Sequence, residues 1–217
     1  MKSKLILIAA LFFSLYTIPA IADDAPKAEI FGEYSYFRFN PTLPGIRNTS
    51  FNGGGGGLTY NLNKYFGIKG ELMGYGSTNY TIPAGTSIPG SSPAAVTTAP
   101  ITTQANMFTY LFGPQVTYRA SKYNVFGELL FGGSNSNGYA NVASAFNGVG
   151  GNVATGTQHP FTMAFGGGLD VKVAKNIAIR PVEIDWILTR YTNPFTLTNN
   201  QNSFRYTAGI VFYLGAK

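Results

Sequence analysis

Apolar and polar residues alternate with a period of two in segment after segment of this chain, the pattern of strands with two unlike faces. The segment from Phe161 shows it most cleanly. Phe161, Met163, Phe165, Leu169, Val171 and Val173 face one way, while Thr162, Ala164, Gly166, Gly168, Asp170 and Lys172 face the other. The pattern predicts seven further strands, over Ala28–Phe39, Ser50–Leu62, Phe66–Tyr75, Asn106–Arg119, Tyr123–Gly132, Ile177–Tyr191 and Ser203–Leu214. In the first, Ala28, Ile30, Tyr34 and Tyr36 share a face, and Glu29, Glu33 and Ser35 lie opposite with Phe31, Phe37 and Phe39. In the seventh, Val182, Ile184, Trp186 and Leu188 oppose Glu183, Asp185 and Thr189. The second is the weakest by hydropathy, because Gly53–Gly57 offers no side chains to alternate; five glycines equally fit a flexible loop, and the strand is expected because the count needs it and glycine suits a sharply curved strand. Pro114 inside the fourth predicts a local bulge.

The connectors alternate in length. Tight turns are expected at Asn61–Lys64, Ala120–Lys122 and Ala174–Asn176, and long stretches at 76–104, 132–159 and 192–202. Segments of about ten residues or more, joined by short turns at one end and long loops at the other, predict an all-β, eight-stranded antiparallel up-and-down transmembrane β-barrel. A soluble sandwich or lipocalin-like barrel shares the period. Two details favour the membrane: aromatic residues near both ends of the apolar faces, and charges in mid-strand on the opposite faces, which suit a polar barrel interior.

Composition agrees. Only 11% of the 217 residues are charged, against about a quarter in ordinary soluble domains, while there are 27 Gly, 17 Phe and 14 Tyr. With no Cys, neither disulfides nor thiolate metal sites arise. Residues 1–22 read as a signal peptide: Lys2 and Lys4, an apolar Leu5–Ile18, then Pro19-Ala20-Ile21-Ala22 ahead of Asp23-Asp24; the rival reading is an uncleaved helical anchor, against which the well-formed cleavage site and the acids after it weigh. Cleavage near Ala22 would leave residues 23–217 as the barrel domain, with 13 Lys and Arg against 9 acids, a charge of about +4. Lysines mark the short turns (Lys64, Lys122, Lys175), and the second and third long loops carry no formal charge. With the short turns in the periplasm, the long loops lie outside.

The opening Phe31-Gly32-Glu33-Tyr34-Ser35-Tyr36 and the closing Arg205-Tyr206-Thr207-Ala208-Gly209-Ile210-Val211-Phe212 resemble the small eight-stranded outer-membrane barrel family, which includes the OmpA transmembrane domain, OmpX and opacity-type porins. The resemblance covers the chain beyond the signal peptide and implies a bacterial outer-membrane location, with outer-membrane lipid and the assembly machinery as partners. It leaves no room for the peptidoglycan-binding domain of full-length OmpA proteins. The family's closing strand usually ends on an aromatic residue; here Gly215-Ala216-Lys217 follow Leu214.

The inward face is expected to carry Glu33, Lys69, Glu71, Glu128, Asp170, Lys172, Glu183, Asp185 and Arg205. An eight-stranded barrel is just wide enough for its own side chains, so these groups are expected to pair as a structural polar network rather than line a pore. A proton-sensitive or ion-conducting channel is the functional rival. Small outer-membrane barrels also include acyl-modifying enzymes that use His, Ser and an acid. This chain has one histidine, His159, with Ser134 and Ser136 in the same loop and no His-x-Ser spacing, so no catalytic residue is assigned. No His and acid cluster has metal-ligand spacing, the glycine run leads into no phosphate loop, and the dispersed basic residues form no nucleic-acid stripe, so no cofactor, metal or nucleic acid is expected. The Pro/Ser/Thr/Ala-rich second loop, Ser77–Gln104, is expected to be a hydrated, mobile cover or a recognition surface for an extracellular partner. The overall expectation is a non-enzymatic barrel with an envelope-structural or surface-interaction role, the alternatives being a narrow channel and a lipid-modifying enzyme.

Overall fold

The computed structural model describes residues 25–40, 49–88, 93–153, 158–190 and 200–215. The expected signal peptide, most of the first loop and most of the fourth lie outside these residues. Eight antiparallel strands close into a barrel, each paired with its neighbours in sequence and the last with the first. They are β1 (Ala28–Phe39), β2 (Thr49–Asn61), β3 (Phe66–Ile82), β4 (Ile101–Arg119), β5 (Tyr123–Ser136), β6 (Phe161–Ala174), β7 (Ile177–Arg190) and β8 (Asn200–Leu214). Closure runs from Ala28 opposite Leu214 to Arg38 opposite Phe204, so the barrel has no open edge along that seam. The short turns fall where the sequence places them. In the first, the Asn63 side-chain oxygen accepts from the amides of Tyr65 and Phe66 at 2.8 and 2.9 Å, an Asx-type closure.

The glycine run is a strand, and the reason is packing. A Cβ at Gly53, Gly55 or Gly57 would collide with a carbonyl oxygen of β3, and also with the ring of Tyr75, the sulfur of Met73 or the ring of Phe31. The missing side chains of β2 make room for large inward residues on its neighbours. The bulge expected at Pro114 is absent. Its ladder with β3 is continuous from Phe66 opposite Val116 to Tyr75 opposite Met107, and the register with β5 is the same before and after it. Pro114 faces outward. Bulges occur instead in β3 between Tyr75 and Thr78, in β6 between Lys172 and Ala174, and in β7 between Arg180 and Glu183, where the extra residue shifts the register against both neighbouring strands.

Inside, the barrel is layered rather than uniformly polar. Near the short-turn end sit Phe31, Ala178, Val211 and Tyr213. Above them comes a charged layer, and then an apolar layer that includes Phe37, Phe39, Phe51, Met73, Tyr75 and Leu130. The Phe37 ring lies 5.4 Å from Tyr75 and 6.5 Å from Phe51, which makes this layer a packed aromatic core. A polar interior was the expectation; the lumen also holds an apolar layer, because the inward aromatics of β1 stack toward its long-loop end.

The long loops hold more structure than their composition suggests. The β3–β4 hairpin continues as far as Ile82 opposite Ile101, well past the point where β2 stops pairing with β3. Beyond it, Thr97 folds the loop back on itself: its amide donates to the Thr86 carbonyl, its hydroxyl donates to the Pro83 carbonyl, and its carbonyl accepts from Gly85. The third loop contains a helix, α1 (Gly138–Asn147), which sets Val142 and Phe146 one turn apart. These two close over Ile82 and Ile88 to form a small apolar cap. The mobile cover expected over 77–104 is therefore, in its described part, a folded one.

Candidate functional site: the charged layer

The candidate site is the charged layer at the middle of the barrel. Six carboxyl groups (Glu33, Glu71, Glu128, Asp170, Glu183 and Asp185) meet three cations (Lys69, Arg180 and Arg205), a formal charge of 3 − 6 = −3. All nine are buried.

Lys69, on β3, sends its ammonium to Glu128 of β5 at 2.9 Å, Glu183 of β7 at 3.0 Å and Glu71 of its own strand at 3.4 Å. Arg180 forks onto Asp170 through Nε and Nη2 at 2.6 and 3.2 Å, and its Nη1 donates to Glu33 at 2.7 Å and Glu183 at 2.9 Å. Arg205 holds Asp185 at 2.7 Å, bonds Glu71, and lies 3.7 Å from Glu183. Glu183 is thus the hub that touches every cation. Phe31 and Phe126 flank the group: their ring centres lie 4.9 and 5.6 Å from the Lys69 ammonium and 5.2 and 4.3 Å from the Arg180 guanidinium. Glycines clear the space, since a Cβ on Gly166 would strike the Asp185 carboxylate and one on Gly209 the Glu33 side chain.

Glu71, Glu128 and Glu183 have the spacing of a cation site, with oxygens within 4.8 Å of one another. The Lys69 ammonium already sits among all three. Three buried oxygens, Glu33 Oε2, Glu71 Oε2 and Asp185 Oδ1, accept no hydrogen bond.

Eight of the nine residues expected on the inward face belong to this layer. Lys172 does not: it lies at the short-turn rim, donating to the Ala120 carbonyl at 2.8 Å, because its position on β6 is two residues closer to the turn than Asp170. A smaller cluster occupies the same rim, where Arg119 reaches Glu29 at 2.6 Å and Asn61 at 2.9 Å.

Arg180 is the residue that alternation misplaces. Residues three apart on a regular strand face opposite ways, yet Arg180 and Glu183 both point inward. The bulge between them inserts the extra residue that brings both inside. Pro181 lies within this bulge, and the Tyr206 hydroxyl donates to the Pro181 carbonyl at 2.7 Å. His159 is exposed, Ser134 is fully buried and accepts from the Thr162 hydroxyl, and no Ser–His hydrogen bond occurs among the described residues.

Closure, register and a filled lumen define the small outer-membrane β-barrel class, and comparison with known proteins gives the same fold. The structure is similar to that of Neisserial surface protein A (NspA), with a TM-score of 0.54 at 7% identity, over 87% of this chain and 97% of that one. It is similar also to the outer membrane protein OprG from Pseudomonas aeruginosa, with a TM-score of 0.55 at 13% identity, over 91% of this chain and all of that one. No family model and no curated protein matches the sequence. The chain has the eight-stranded outer-membrane barrel fold, at a sequence identity to these two neighbours that carries no likeness beyond the fold.

Proposed function

We propose that this protein is a sealed, non-enzymatic integral barrel of the bacterial outer membrane, secreted with cleavage of residues 1–22. Its short turns then face the periplasm, and the cap faces outward as a surface for envelope structure or recognition. The observation that carries this reading is the stacking of the buried ion network beneath an aromatic layer, both built from side chains of the barrel's own strands. Water and ions crossing such a lumen would have to part both. The network serves as a structural plug: buried charges persist where they are mutually paired, and Glu183 links all three cations. Outward residues such as Phe112, Tyr118 and Phe165 are 61 to 65% exposed in the isolated chain, as a lipid-facing surface requires.

Planar-bilayer recording tests the seal. The purified protein should give no steady conductance, and openings of porin size would overturn the plug. The exposed His159 and buried Ser134 favour the non-enzymatic reading, so His159→Ala should leave the lipid A mass spectrum unchanged. A gel shift in detergent that is lost on boiling tests the folded barrel itself.

A further inference from the structure

The lipid-facing wall has a groove of about 700 Å3, within the range of small-molecule sites (roughly 300–1,000 Å3). Gly70 floors it, and Leu72, Tyr110, Phe112, Phe131 and Phe161 wall it. Its upper edge follows a single row of cross-strand partners: Leu72 opposite Tyr110, Tyr110 opposite Gly133, Gly133 opposite Phe161, and Phe161 opposite Arg190. The row climbs. Leu72 is 72 − 66 = 6 residues from the short-turn end of β3, whereas Arg190 is 190 − 177 = 13 residues from that end of β7. An apolar groove beginning near mid-bilayer thus rises toward the long-loop rim and ends at Phe161, with Arg190 outside the groove as the next residue across the ladder.

Arg190 is exposed and has no hydrogen-bond or ion-pair partner among the described residues. Nor is a carboxylate available to it on the described outer surface: Glu29, Glu33, Glu71, Glu128, Asp170, Glu183 and Asp185 are all buried inside the barrel. An apolar slot below an unpaired cation complements an amphiphile with an acyl chain and an anionic head.

We propose that this groove binds a phosphorylated, acylated glycolipid of the outer leaflet, its acyl chain along Gly70, Phe112 and Phe131 and a phosphate on Arg190. The assignment rests on the membrane orientation proposed above, since only that orientation puts Arg190 at the outer surface. A Cβ at Gly70 meets nothing within 4 Å, so Gly70→Leu fills the groove without disturbing the barrel. Arg190→Gln removes the charge from an exposed position.

The test is native mass spectrometry and titration of the full protein in nanodiscs, using bisphosphorylated lipid A, its dephosphorylated form and phosphatidylglycerol. Each variant is first checked for the heat-dependent gel shift, whose absence in the wild type would instead sink the barrel reading. Gly70→Leu should weaken lipid A binding about tenfold or more, and Arg190→Gln should do likewise while binding the dephosphorylated form as the wild type does. Lys175→Gln, at the opposite rim, should change nothing. Equal binding by all variants, or equal weakening by Lys175→Gln, would overturn the site. A wild-type preference for phosphatidylglycerol would overturn the glycolipid assignment.

Discussion

The charged layer and the long-loop cap are both buried clusters, but they are held together in opposite ways. The layer joins β1, β3, β5, β6, β7 and β8 through interlocked ion pairs, and no cation can leave without stranding a carboxylate. The cap joins the end of one hairpin to one helix through a few apolar side chains. The first is a long-range structure that exists only when the barrel has closed. The second is a local structure, built on the end of the β3–β4 hairpin beyond the part of β3 that pairs with β2. Cooperative stability should therefore reside in the layer, and separable opening in the cap.

Breaking the layer should have the largest effect. Arg180→Met strands Asp170 and Glu33, and Lys69→Met strands both oxygens of Glu128. Each should cost about 3–5 kcal/mol, as removal of one partner from a buried pair does, and the urea midpoint for folding into lipid would show it. Deleting Pro181 attacks the same layer through its backbone. Removing the extra residue of the bulge should turn Arg180 toward lipid, at about 2–4 kcal/mol for a mid-membrane arginine, in addition to the lost ion pairs. A deletion variant as stable as the wild type would show that the bulge does not set the facing of Arg180.

Within the layer, Glu183→Gln should destabilise more than Glu33→Gln, by about 1–3 kcal/mol in the same measurement, because Glu183 meets three cations and Glu33 meets one. In the cap, Phe146→Ala should leave the gel shift and urea midpoint unchanged while raising protease cleavage within 83–100 and 138–153. A fall in the global midpoint would show instead that the cap and the barrel unfold together. The smallest effect belongs to Thr97→Val, which removes the hydroxyl's bond to the Pro83 carbonyl and the one it accepts from the Thr86 amide, and should loosen the loop by about 0.5–1.5 kcal/mol, read by amide exchange.

Legibility followed the range of the interactions. Glu33, Lys69, Glu71 and Arg205 could be assigned to the inward face from sequence, because facing on a regular strand is a local, period-two property. Arg180 could not, since its facing depends on a register shift against β8. The two prolines make the same point. Pro114 and Pro181 both interrupt alternating segments, yet only Pro181 lies at a shift, and the neighbouring strand decides which. The groove was equally hidden, because its walls come from β3, β4, β5 and β6 and its glycine floor has no hydropathy of its own.

Strand number, the alternation of turn and loop, and the sidedness of the regular strands were determined by the sequence alone, because each is written in residues adjacent along the chain. The tertiary structure decided which carboxylate meets which cation, how the lumen divides into apolar and charged layers, and how the uncharged loops fold into a cap. Those outcomes depend on register and closure, which bring residues more than a hundred positions apart into contact: Lys69 meets Glu183, and Arg180 meets Glu33. No local pattern carries that information.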